Sequence, residues 1–168
     1  MLTMVDRQRA MKKYALFNKI NINFLNPYNN EVDLKKSLDE IEIKVPASLF
    51  SEIEVIYVGK FDFLDDDGVS SKFMDNAIYL SNSTYYESDI VYDIISALGE
   101  SIEKKYVHLF YGNENLVKEF ESSLSPSEQF LQEGFIDTIY DFLIEDRDGI
   151  KEKMPVFSDV LEEIMRNG

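Results

Sequence analysis

Ser88-Asp89-Ile90-Val91-Tyr92-Asp93-Ile94-Ile95-Ser96-Ala97-Leu98-Gly99-Glu100-Ser101-Ile102-Glu103-Lys104 is the stretch on which the fold turns. Ile90, Val91, Ile94, Ile95, Leu98 and Ile102 recur three or four apart, which lays one apolar stripe along a helix, and Ser88 supplies an oxygen to cap its first turn. A helix of that kind belongs in the core. Gly99 inside it costs about 1 kcal/mol relative to alanine, so its presence points to a close neighbour. Asp93, Glu100 and Glu103 share one face of the same helix, and carboxylates so spaced are able to hold a hard cation. The other reading, a solvated acidic face, is preferred.

Upstream, residues 33–39 suggest one or two helical turns, and Ile41-Glu42-Ile43-Lys44-Val45 alternates as a half-buried strand does, closed by Pro46. Residues 52–58 are rich in β-branched side chains and end at Gly59, a second strand that residues 61–64 extend. Asp65-Asp66-Asp67-Gly68 reads as a solvated turn; an EF-hand loop spaces its carboxylates at alternate positions, and here they are adjacent. Ala77-Ile78-Tyr79-Leu80-Ser81 is a third strand. Downstream, one helix is predicted from Ser125 or Pro126 to about Ile144, with Phe135, Ile139, Phe142 and Leu143 inward, and a last one opens at Pro155.

The chain has 168 residues, 45% of them hydrophobic, which suits one folded domain. Its 17 basic and 32 acidic residues leave a net charge of −15, a surface that repels phosphate backbones and anionic headgroups, so neither nucleic acid nor membrane is expected as a direct partner. The N-terminus lacks the uninterrupted apolar core of a signal peptide, and no run approaches the length of a membrane span. Without cysteine there is no disulfide, thiolate nucleophile or Cys-ligated metal. His108 is the single histidine, and among apolar neighbours it is expected to be a partly buried structural residue. Residues 1–20 carry Arg7, Arg9, Lys12, Lys13 and Lys19 against Asp6, and read as a basic amphipathic arm on the single domain 21–168. Tyr85, Tyr86, Tyr92, Tyr106 and Tyr111 are candidate interface anchors.

Tyr57-Val58-Gly59-Lys60-Phe61-Asp62-Phe63, Asp75-Asn76-Ala77-Ile78-Tyr79-Leu80-Ser81 and Asp89-Ile90-Val91-Tyr92-Asp93-Ile94-Ile95 follow one another as in a group of phage-encoded zincins that resembles the lethal-factor-like gluzincins. Lys153-Met154-Pro155-Val156-Phe157 and Leu161-Glu162-Glu163-Ile164 resemble that group's closing helix. The resemblance implies an α+β, zincin-like domain: a small mixed sheet with an edge strand packed on a central long helix, plus C-terminal helices. It also implies an HExxH site, and matching this chain to it puts the first histidine at Ser96, the general base at Ala97, the second histidine at Glu100 and a third ligand at Gln129. With those ligands replaced, the expectation is a pseudoenzyme without metal or other cofactor. As a structural protein of the phage particle, made in the host cytoplasm, it would bind other virion proteins or copies of itself, with Arg7, Arg9, Lys12 and Lys13 as a contact arm. The alternatives are a divergent metallopeptidase with oxygen ligands around Asp93 and Glu100, and an acidic mimic of nucleic acid that inhibits a host protein.

Overall fold

The computed structural model describes residues 14–27, 31–83, 87–123 and 131–167. Strands β1 (Ala15–Leu16), β2 (Ile20–Phe24), β3 (Val55–Gly59), β4 (Ser71–Met74) and β5 (Ala77–Ser81) form one sheet in the order β1-β2-β3-β5-β4. The β2–β3 and β3–β5 pairs are parallel, whereas β1–β2 and β4–β5 are antiparallel. The expected mixed sheet and its edge strand are therefore present, with β4 at the edge and Ala77–Ser81 one place further in.

The helices are α1 (Glu31–Lys44), α2 (Asp62–Asp67), α3 (Glu87–Lys105), α4 (Val107–Tyr111), α5 (Glu114–Ser123), α6 (Leu131–Tyr140), α7 (Arg147–Lys153) and α8 (Pro155–Asn167). A π-helical turn, Asp141–Glu145, continues α6. α3 is the central helix that its stripe predicts: Ile90, Val91, Ile94, Ile95, Leu98 and Ile102 are all buried. It packs on α1, α6 and the sheet, whose inward side chains include Ile22, Ile56, Val58, Ile78 and Leu80. A Cβ on Gly99 would stand 3.4 Å from Ile136 Cγ1, which is the close neighbour inferred from that glycine. On the far side, Phe110, Phe120, Phe135, Phe142 and Phe157 interlock, with Phe110 and Phe135 edge to face at 4.6 Å, and tie α4, α5, α6 and α8 together.

Three local expectations are corrected. Residues 41–44 belong to α1 and Val45 follows its last turn, its N–H donating to the Ile41 carbonyl, because Leu34, Leu38, Ile41 and Val45 are spaced for one helix face and are buried, while Ile43 is 84% exposed. Residues 62–67 turn into α2, closed by Gly68 in the left-handed region at φ 67°, so the aspartates lie exposed on a helix and not in a turn. Within the predicted arm, Ala15 and Leu16 are strand and lead into β2 through a turn with Phe17 and Asn18 at φ 55° and 53°. The Phe17 N–H donates to the Glu42 carboxylate at 2.7 Å and its ring meets Phe50, contacts that hold this uncommon conformation. Arg7, Arg9, Lys12 and Lys13 lie outside the described residues.

Candidate functional site

Where β4 begins, α3 passes beneath it and α6 stands alongside, leaving a groove of about 440 Å³. Ser71 lines it from the strand and Ser70 from just before it, Tyr92, Asp93, Ser96 and Glu100 from α3, and Ile136 and Asp137 from α6. The α3 residues reach it because 92, 96 and 100 lie four apart on one face, opposite the apolar stripe. Ser71 and Phe73 are directly opposite the buried Leu80 and Ile78, so their side chains also turn toward α3. The Ser71 hydroxyl accordingly donates to the Asp93 carbonyl at 2.6 Å.

Glu100 is half-buried, and one carboxylate oxygen accepts the Phe73 N–H at 3.4 Å. Burial holds its carboxyl above the usual carboxylate range; the Phe73 N–H and Lys72 act the other way, and the nearby Glu103 adds to the rise. The Tyr92 hydroxyl donates to Asp137 at 2.9 Å, bridging α3 to α6, and its ring packs edge to face on Tyr140. Burial first, then the Asp137 bond, raises the Tyr92 phenol, against a hydrogen bond with Ser96. Among the described residues, none of the side chains lining the groove is a cation.

The matched site residues separate. Ser96 and Glu100 line the groove, but Ala97 is fully buried in the core, and Gln129 lies outside the described residues. Glu103 turns from Glu100 to the Tyr111 hydroxyl. The donor set does not suit a zincin's zinc: Ser96, Ala97 and Glu100 offer a hydroxyl, a methyl and one carboxylate, the last engaged by Phe73. Among the described residues no group of three or more His, Asp or Glu side chains is placed to hold a metal ion, the proposed oxygen site around Asp93 and Glu100 included. His108 is exposed on α4, away from the groove, which corrects its reading as partly buried: Phe110 takes the inward position of that short helix, and Val107 and Leu109 are exposed with the histidine. Of the five tyrosines, Tyr92 is in the groove, Tyr106 and Tyr111 are half-buried elsewhere, and Tyr85 and Tyr86 lie outside the described residues.

Ser71, Ile136 and Asp137 were not legible as site residues. They become neighbours of Ser96 through strand pairing and helix packing, and the single local signal was the polar face that Asp137 occupies beside the Phe135 and Ile139 stripe.

The mixed sheet, its antiparallel edge strand and the long helix beneath it define a zincin-like fold, the architecture of a class of metallopeptidases. Among solved structures, the Pro-Pro endopeptidase from Paenibacillus alvei is similar at a TM-score of 0.57, over 85% of this chain and 96% of that one, with 11% sequence identity. No protein-family model and no curated protein matches the sequence. The likeness corrects the expectation of a pseudoenzyme: the fold found here is shared with an endopeptidase.

Proposed function

We propose that the chain is a polypeptide-binding protein of peptidase fold, which takes an extended segment of another protein into the groove beside β4. The observation that carries this reading is the junction of an edge strand with the groove lined by Ser71, Tyr92, Ser96, Glu100 and Asp137. A strand edge offers main-chain N–H and C=O groups for affinity, and the adjoining groove selects side chains.

Two probes test it. One is a peptide containing Pro-Pro, the pair after which the Paenibacillus enzyme is named; the other is oxidised insulin B chain, an unfolded polypeptide of mixed sequence. Calorimetry with the full chain reads binding, and mass spectrometry of the same mixtures reads cleavage. At least one probe binds, and Ser96→Trp, which fills the groove from its half-buried wall, removes both the binding and any cleavage. Binding that survives Ser96→Trp contradicts the reading.

The resemblance of residues 57–63, 75–81 and 89–95 to phage-encoded zincins supports a bound segment that belongs to another virion protein or a second copy of this chain, with Arg7, Arg9, Lys12 and Lys13 adding contacts to an acidic partner. Purified particles in which mass spectrometry never finds the chain would remove that part of the proposal.

A further inference from the structure

β4 pairs with β5 through a two-residue hairpin, with Asp75 and Asn76 at φ 52° and 60°, the geometry of a type I′ turn. Such a turn makes Met74 and Ala77 a hydrogen-bonded pair, and the Ser81 N–H donating to the Ser70 carbonyl at 2.9 Å fixes the same register at the other end. Main-chain groups of residues 70, 72 and 74 therefore face β5, and those of Ser71 and Phe73 face outward from the sheet. The outward Phe73 N–H meets the Glu100 carboxylate arriving from α3.

We propose that Glu100 is an intramolecular plug of the β4 edge, its carboxylate standing where a carbonyl oxygen of an added strand would bond the Phe73 N–H, so that an incoming polypeptide must displace it. The inference rests on the reading of the groove as a polypeptide site and adds a built-in competitor to it. Exposed strand edges invite pairing with other chains, and a charged side chain aimed at the edge is one way to suppress this. At 3.4 Å the contact is long for a hydrogen bond to a carboxylate, hence exchangeable. Displacement also returns a half-buried carboxylate to water, which offsets the lost bond. The charges around it are mixed: Lys72 on β4 favours the carboxylate, Glu103 opposes it, Asp93 and Asp137 line the same groove, and the Lys104 ammonium sits 6.0 Å above the Phe73 ring.

Amide hydrogen exchange read by NMR on the full chain decides it, comparing wild type, Glu100→Ala and the isosteric Glu100→Gln. The Phe73 amide should exchange about three- to tenfold faster in Glu100→Ala, the loss of one such bond, with an intermediate rate in Glu100→Gln, which retains a weaker acceptor. Lys72 and Met74, bonded to β5, keep their protection and report an intact fold. Insulin B chain then binds Glu100→Ala more tightly than wild type by a comparable factor. An unchanged Phe73 rate in both variants, or weaker binding to Glu100→Ala, overturns the plug. Should no variant bind the B chain while Phe73 is released as expected, the groove reading fails and the plug remains as a guard against edge pairing.

Discussion

Glu100 carries a charge whose cost depends on pH. Its carboxyl is held above its ordinary value of 4.5, mainly by burial, so the folded state takes up a proton more readily than the unfolded chain. The stability associated with this group is complete below pH 4.5 and is lost as pH rises through the folded-state value. Glu100→Gln removes that loss. Urea unfolding at a series of pH values should show the variant gaining on wild type as pH rises from about 4 to 7; a difference that stays flat or shrinks would count against the half-buried placement. Tyr92 is the second informative residue. Tyr92→Phe removes the bond to Asp137 between α3 and α6, and with a tyrosine 40% exposed the loss should be about 0.5–1 kcal/mol by denaturant titration. Residue types marked Ser96 and Glu100 as a polar departure within the helix, yet their geometry was not legible, because the strand and helix that complete the groove come from residues 70–71 and 136–137.

Among the elements, α3 was readable because six apolar positions agree on one period, and α8 because Pro155 opens it and Leu161 and Ile164 continue the pattern. α1 was misread at its C-terminal end, where Ile41, Ile43 and Val45 alternate over five residues. A window of that length fits a strand as well as a helix, and Leu34 and Leu38, seven and three residues before Ile41, decide for the helix. The two readings predict different mutants. Ile41→Ala should cost about 2–4 kcal/mol, while Ile43→Ala should stay within about 0.5 kcal/mol, measured by thermal or urea unfolding; equal costs would favour a strand with both residues inward. β4 escaped notice because Ser71-Lys72-Phe73-Met74 has little β-branched character, and its strand conformation comes from the hairpin it makes with β5.

At the scale of the whole molecule, two packing systems meet on α3: the sheet with α1 on one side, and the phenylalanine cluster of the C-terminal helices on the other. Phe135 touches Phe110, Phe120 and Phe157, so Phe135→Ala should cost about 3–5 kcal/mol. Because α6 carries both Phe135 and Asp137, such a variant should also loosen the groove wall, read as weaker binding of whichever probe binds wild type. The class of fold was legible through the order of short motifs along the chain; what the fold does was not, since the sequence contains no HExxH motif and the groove is assembled from residues far apart in it. The most direct measurement is hydrogen exchange of the full chain with and without bound polypeptide, mapped residue by residue. Binding in the groove predicts new protection at Ser71 and Phe73 with smaller changes at Tyr92 and Ser96. Protection gained elsewhere, with β4 and α3 unchanged in the presence of a polypeptide that demonstrably binds, would contradict the account.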